Sequence, residues 1–281
     1  MAEAGAAPRR AARPAWLTAP VILGLIVVSF WIAAALSADL WGLADPLRMV
    51  ARRLQPPSAE HWLGTDALGR DVLSRTLHGA RFSLLIAVVV VGVAVALGSL
   101  LGALAGFLGG WVETGVMRLV DVVLAFPPVL LAMAVAATLG PGLENAAVAL
   151  IAVWWPVYAR LMRGQVLEVR TREHVEAAVA CGVRPARLLW KHILSLCWTP
   201  VLINATMDVG QVILLAAALS FIGLGATPPT PEWGAMISAG ATQFYSWWIA
   251  FGPGMAILTI VLGFNFLGDG LRDVLDARSE R

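Results

Sequence analysis

Residues 171–191 read Thr-Arg-Glu-His-Val-Glu-Ala-Ala-Val-Ala-Cys-Gly-Val-Arg-Pro-Ala-Arg-Leu-Leu-Trp-Lys, and they lie within a polar interval, residues 160–191, of an otherwise apolar chain. The pattern predicts two short helices. Thr171 is a suitable N-cap for the first, and Gly182 suits the left-handed conformation that often ends a helix. Pro185 can open the second helix, because its fixed φ is already helical. We therefore predict two helices joined at a glycine.

The sequence as a whole is too apolar for an ordinary soluble domain. Of its 281 residues, 59% are hydrophobic and 14% are charged, and the mean hydropathy is +0.79. Such values are typical of a chain that crosses a bilayer repeatedly. The net charge of +2 comes from basic residues scattered among loops, so no nucleic-acid partner is indicated. We predict an all-α polytopic membrane protein in contact with membrane lipid.

Six apolar segments are predicted to be transmembrane helices, for which about 20 residues are needed. The first is interpreted as a retained span, because its apolar core is longer than that of a secretory signal. Pro127 and Pro128 lie within the third, where a proline frees carbonyls that neighbouring helices or cavity water must satisfy. The predicted spans are approximately residues 17–38, 82–108, 119–138, 145–158, 200–224 and 247–267.

The predicted organisation follows from these spans and from the basic residues. With the N-terminus inside, 14 of the 20 basic residues face the cytoplasm, and the positive-inside rule then favours cytoplasmic positions for both termini. Asp66 is predicted to cap an interfacial helix in the outer segment. The predicted parts are a cytoplasmic tail (1–16), a first transmembrane helix (17–38), an extracytoplasmic segment (39–81), a five-helix core (82–268) with a cytoplasmic loop (160–192), and a cytoplasmic tail (269–281).

Four glycines recur at intervals of four residues from the second predicted span onward, namely Gly98, Gly102, Gly106 and Gly110. Residues spaced in this way share one helix face. Small residues on a shared face let a second helix approach closely. The glycine series therefore predicts a tightly packed helix pair and implies no chemistry.

The triplet from Glu176 to Ala178, followed after three residues by Gly182, resembles the EAA loop of the membrane subunits of bacterial ABC importers. In that family the loop docks on the ATPase subunit. One departure is Ser195, which occupies a position where the family often has proline. The resemblance implies a docking surface with these residues: Glu173, Glu176, Ala177, Ala178, Gly182 and Arg184.

Other stretches resemble the dipeptide, oligopeptide and nickel permeases of the same family, so that the resemblance extends from residue 61 to the C-terminus. It implies the ABC importer type I permease fold, with six transmembrane helices in a bacterial inner membrane. It also implies a second homologous permease, two ATPase subunits and an extracytoplasmic substrate-binding protein as partners. The resembling stretches are residues 63–66, 68–75, 79–81, 219–225, 228–236 and 268–273.

Nucleotide chemistry is assigned to the partners, because this sequence lacks a phosphate-binding loop. Its only lysine, Lys191, is followed by His192, so the sequence G-x-x-x-x-G-K-[ST] does not occur. The expectation is that ATP and magnesium are bound by the ATPase subunits and that this chain binds no cofactor. Neither a catalytic residue nor a metal ligand is predicted.

Two further groups of polar residues are candidates for contact with substrate or with the binding protein. Asn204, Asp208 and Gln211 share one face of the fifth span, where an ionisable residue costs about 3 kcal/mol unless it faces a cavity or a partner. They are pathway candidates. Thr230 as N-cap would place Glu232 in the first turn of a short outer helix. The candidates for docking the binding protein are Arg70, Arg75 and Glu232.

The function favoured by these patterns is that of a permease subunit forming half of a translocation pathway for di- or oligopeptides in an ATP-driven importer. Alternatives stay open at this point. The subunit could belong to an importer of nickel or another small solute. A secondary transporter could use Asp208 as a proton or cation site, and a structural membrane subunit would have no transport role.

Overall fold

A computed structural model describes residues 18–279 of the chain, with side chains described for residues 18–274. The tail predicted over residues 1–16 lies outside the described residues. The described part is almost entirely helical. Its helices are α1 (Ala19–Ser37), α2 (Val72–Leu108), α3 (Gly110–Leu124), α4 (Pro128–Leu139), α5 (Leu143–Arg170), α6 (Glu173–Ala180), α7 (Pro185–Arg187), α8 (Leu194–Ile222), α9 (Trp233–Ala241) and α10 (Trp248–Ser279), with a 3-10 turn at Ala38–Leu40 and a π-helical segment at Leu188–Ile193.

Five helical stretches in the described part are long and apolar enough to cross a membrane. A sixth crossing is obtained if the bent pair α3 and α4 is counted as one. The first predicted span corresponds to α1, and the predicted tail over residues 269–281 continues α10 as far as Ser279. The five stretches are Ala19–Leu40, Val72–Leu108, Leu143–Arg170, Pro185–Ile222 and Trp248–Val274.

The third predicted span is broken at its proline pair. Helix α3 ends at Leu124, helix α4 begins at Pro128, and the two are bent by 93°. A proline lacks the N–H group that would continue a helix and restricts the residue before it. The third predicted span therefore consists of two helices and not of one, and the break lies at the proline pair.

Two predicted span boundaries are also wrong. Helix α2 begins at Val72, with Asp71 as N-cap accepting the Ser74 N–H at 2.7 Å, and Asp66 instead stabilises a turn before it. There is consequently no separate interfacial helix after Asp66. Helix α5 continues to Arg170, so the first third of the predicted polar loop extends the fourth span.

The glycine series lies in the most extensive helix contact of the described residues, between α2 and α5. A Cβ atom at Gly98 or Gly102 would collide with the backbone of α5 at Trp155 and Ala159, and one at Gly106 would lie only 3.0 Å from the Arg163 carbonyl oxygen. The prediction of a tightly packed pair is confirmed for these three glycines. Gly110 is an exception, because it begins α3 with φ +54° and has nothing within 4 Å of a Cβ position.

The helices place loops at two ends of the bundle. We call the end with residues 38–71 and 223–247 the cap end, where the Trp248 indole Nε1 donates to the Thr65 carbonyl at 3.1 Å. We call the opposite end, with residues 171–187 and the α2–α3 junction, the EAA end. Helix α1 packs against α2 and α10 along the side of the bundle.

Candidate functional site

Helix α6 at the EAA end is terminated by Gly182, as the sequence predicted. Gly182 has φ +75°, its N–H donates to the Val179 carbonyl at 2.9 Å, and the Val183 N–H donates to the Ala178 carbonyl at 3.1 Å. These paired bonds form a Schellman motif, which satisfies carbonyls that the helix end would leave free. The left-handed residue fixes the direction in which the chain leaves α6.

The start of α6 differs from the prediction. Arg172 occupies the N-cap position without a side-chain cap, and the Thr171 hydroxyl donates to the Glu168 carbonyl at 2.9 Å. Thr171 therefore closes the end of α5 and does not cap α6. Helix α6 is nevertheless supplied with negative charge at its N-terminus by Glu173 and Glu176, which suits the helix dipole.

One side of α6 is anchored and the rest is exposed. Val175 is buried and joins a hydrophobic cluster with Leu188, Leu189 and Ile193 of the following segment. A groove of about 360 Å³ runs beside α6 and is lined by Phe107, Arg170, Val175, Glu176, Val179 and Leu188. The predicted docking residues are exposed except for the half-buried Ala178, and they are Glu173, Glu176, Ala177, Gly182 and Arg184.

The segment after α6 leads directly into the membrane. The chain is helical from Pro185 to Ile222, through α7, the π-helical segment and α8. Ser195, where the resembling family often has proline, donates its hydroxyl to the Lys191 carbonyl at 3.0 Å within this run. Because Val175 packs on the π-helical segment, displacement of α6 would act on a continuous helical element rather than on a flexible loop.

The pathway candidates lie together on α8, as their spacing predicted. Asn204 and Gln211 are exposed on the surface of the chain, and Asp208 between them is half-buried. Asn204 donates its amide to the Pro200 carbonyl of its own helix at 2.8 Å. A polar stripe on a membrane helix needs a polar environment, either water or a partner protein.

Asp208 also has a partner that the sequence did not indicate. The hydroxyl of Tyr158 on α5 donates to the Asp208 carboxylate at 2.6 Å, and Tyr158 is fully buried. This hydrogen bond joins α5 to α8. No spacing rule connects residues 50 positions apart, so the pair became visible only in three dimensions.

The docking candidates at the cap end are less accessible than predicted. Arg75 and Glu232 are 5% and 1% exposed, and Arg70 is partly buried. Glu232 is the N-cap of α9, where its carboxylate accepts the N–H groups of Gly234 and Ala235, each at 2.9 Å. Because Arg75 and Glu232 are buried and make their contacts within the chain, their side chains are not available for direct contact with a docked protein.

The α9 cap also corrects the predicted position of Glu232. Thr230 is not the N-cap, and Glu232 stands before the helix rather than in its first turn. Burial raises the pKa of Glu232, while the hydrogen bonds from Gly234 and Ala235 oppose that rise. A carboxylate that the sequence placed at the surface thus belongs to the packing between α9 and α2, where it also accepts from Ser83 at 3.4 Å.

The chain resembles a known family of transport proteins over most of its length. The family model described as "Binding-protein-dependent transport system inner membrane component" matches residues 98–281. A dipeptide transport system permease protein of Alkalihalophilus pseudofirmus is 43% identical over 264 residues, which are 92% of this chain and 85% of that protein. A probable D,D-dipeptide transport system permease protein of Escherichia coli is 44% identical over 268 residues, which are 95% and 88% of the two chains.

A third relative is named for a different substrate. A glutathione transport system permease protein of Pectobacterium atrosepticum is 41% identical over 258 residues, which are 92% of this chain and 84% of that protein. The matched family region includes α6, Gly182 and the polar stripe of α8. The chain belongs to the family of inner membrane components of binding-protein-dependent transport systems.

Proposed function

We propose that the chain is the permease subunit of an ATP-driven importer of short peptides and forms half of its translocation pathway. The observation that carries the proposal is the exposed helix α6, held at a fixed angle by Gly182 and joined to a membrane helix. Three relatives that span most of the chain are named for transport of dipeptides, D,D-dipeptides and glutathione. Each of those substrates is a short peptide, which supports peptides as the substrate class.

The proposed assembly contains a second homologous permease, two ATPase subunits and an extracytoplasmic substrate-binding protein. The ATPases would bind ATP and magnesium and would dock on α6, where alanines leave room for close approach and Glu176 provides a charge. ATP-driven closure would displace α6, and the helical run from Pro185 to Ile222 would carry the displacement into the bundle. The two permeases would thereby change between inward-open and outward-open packings, as expected for a bistable element.

Copurification tests this proposal. The tagged chain, extracted from its native membranes in mild detergent, should retain two ATPase subunits whose ATP turnover requires its presence. A matched variant, Glu176→Lys, reverses the charge at the exposed surface of α6 and should lose the ATPases while keeping the second permease. Recovery of the chain without any ATPase subunit, under conditions that preserve the permease pair, would contradict the proposal.

The first prediction concerns Asp208, which we propose faces the translocation pathway. Asp208→Asn should leave the complex assembled and lower uptake of cationic dipeptides relative to neutral ones by roughly 2- to 5-fold, because a partly exposed ion pair contributes up to about 1 kcal/mol. This preference is measured by comparing uptake of lysine-containing, neutral and acidic dipeptides into proteoliposomes that contain the complex.

Tyr158→Phe is the matched control for Asp208. It removes the hydrogen bond between α5 and α8 but keeps the carboxylate, so the preference for cationic peptides should persist. If Asp208→Asn instead changes uptake of all three dipeptides equally, and Tyr158→Phe causes the same change, Asp208 is only a structural contact between helices.

The second prediction concerns the orientation of the bundle, which we propose is N-in and C-in with the EAA end in the cytoplasm. Cys181 and Ala59 are exposed at opposite ends of the bundle, and Cys197 is buried. In a Cys197→Ser background, Cys181 should react with an impermeant thiol reagent only from the cytoplasmic side. A single cysteine at Ala59→Cys should react only from outside, and the reverse pattern would overturn the orientation.

A further inference from the structure

A small charged cavity lies at the cap end, between α2, α9 and the segment before α9. Its volume is about 70 Å³. Three charged side chains line it: Asp66, Arg70 and Arg75. The remaining lining residues are neutral.

The charges around this cavity do not balance. Asp66 supplies one carboxylate, whereas Arg70 and Arg75 supply two guanidinium groups. The Arg70 Nε donates to the Asp66 Oδ2 at 2.7 Å, while the Arg75 Nε lies 3.6 Å from the same oxygen. The other oxygen, Oδ1, already accepts the backbone N–H groups of Leu68 and Arg70 at 2.8 and 3.0 Å. A single carboxylate therefore serves two cations, and the cluster carries one excess positive charge.

No other carboxylate of the described residues neutralises that charge. Asp71 is engaged by the His61 ring at 2.8 Å and by the Ser74 N–H. Glu232 is committed to the start of α9, where it accepts the N–H groups of Gly234 and Ala235, and to Ser83. An unbalanced charge that is mostly removed from water is costly unless a counter-ion completes the pair.

The guanidinium groups have donors left for such a counter-ion. Arg75 uses Nη1 for the carbonyl of Pro46 at 2.8 Å and approaches that of Pro229 at 3.5 Å. Among the described residues its Nη2 has no hydrogen-bond acceptor, and neither terminal nitrogen of Arg70 has one. Exposed prolines, Pro228 and Pro229, border the cavity and leave it open at one side.

We propose that this cavity is a binding site for a single carboxylate group, held between the guanidinium groups of Arg70 and Arg75. One monovalent carboxylate restores neutrality, and its planar pair of oxygens matches the fork of a guanidinium. The cavity is far smaller than the roughly 300 Å³ at which small-molecule pockets begin, so it takes an end group and not a whole peptide. The carboxylate is either the C-terminus of a transported peptide or a free small anion. The first source rests on the proposed function.

Equilibrium dialysis of the purified complex against radiolabelled acetate tests the site without any transport step. One acetate should bind per chain, and acetamide should not compete. Arg70→Gln should weaken acetate binding by roughly 10- to 100-fold, the effect of removing a hydrogen bond to a charged group. Asp66→Asn keeps the turn acceptor Oδ1 but removes the competing charge, so it should tighten binding. Size-exclusion chromatography verifies that both variants are folded.

Competition with peptides assigns the source of the carboxylate. If dialanine displaces acetate at much lower concentration than unlabelled acetate does, and dialanine amide does not, the site takes a peptide C-terminus. If dialanine and acetate compete equally, the site takes free small carboxylates, which also supports the proposal. Three results would overturn the proposal. The first is that acetate does not bind at all, the second is that both variants bind acetate with the affinity of the wild type, and the third is that dialanine amide competes as well as dialanine does. None of these three results would affect peptide import, which is measured separately.

Discussion

Replacing Gly182 by valine is expected to lower ATP-dependent uptake roughly 5- to 30-fold, because a left-handed conformation costs a residue with a Cβ about 1–2 kcal/mol. Gly182 has φ +75° and terminates α6, so a β-branched residue would disfavour the Schellman motif and change the direction of the chain. The lower uptake should result from weaker coupling between ATP hydrolysis and transport. The amount of chain in the membrane and its thermal stability in detergent should stay near those of the wild type.

Gly182→Asn is the control for this prediction. Nothing lies within 4 Å of a Cβ atom at this position, so the added side chain itself meets no obstacle within the chain. Asparagine tolerates the left-handed region, and uptake should therefore be largely retained. Equal losses for the asparagine and valine variants would show that the size of the side chain matters and that the backbone conformation does not.

The largest effect on stability is expected at the contact between α2 and α5. In Gly102→Leu the new side chain would collide with the backbone of Ala159, and overpacking of this kind costs about 1–3 kcal/mol or more. The variant should lose its monodisperse peak in fluorescence-detected size-exclusion chromatography at a lower temperature than the wild type.

Gly92→Leu provides a matched control on the same helix. Gly92 is exposed and has nothing within 4 Å of a Cβ position, so leucine should be accommodated there without loss of stability. If Gly92→Leu and Gly102→Leu lowered the melting temperature equally, close packing against α5 would not explain the effect of Gly102→Leu.

The features that the sequence predicted well were those with a local cause. Gly182 follows a short helix and is the residue that most readily adopts a left-handed C-cap, and the four-residue glycine spacing requires a shared helix face. Asn204, Asp208 and Gln211 lie on one face of α8 for the same geometric reason. Membership of the transport family also followed from local motifs, because the EAA-like stretch is contiguous in the chain.

The errors concerned contacts between distant residues and the exact ends of helices. Asp66 and Asp71 are both plausible N-caps, and only the folded turn shows that Asp71 begins α2. Glu232 appeared to be a surface charge, but packing of α9 against α2 buries it. Likewise, nothing local pairs Asp208 with Tyr158. Burial and long-range pairing depend on the arrangement of helices, which periodicity within one helix does not specify.

The central claim is that ATP hydrolysis by partner subunits drives peptide import through this chain. The most direct measurement is uptake of labelled dialanine into proteoliposomes that contain the purified complex, with the binding protein outside. Our account predicts accumulation that requires ATP inside the vesicles and is strongly reduced in Gly182→Val. An imposed pH gradient should not replace ATP. Accumulation driven by a pH gradient in vesicles without nucleotide and without ATPase subunits would contradict the account and would favour a secondary transporter that uses Asp208.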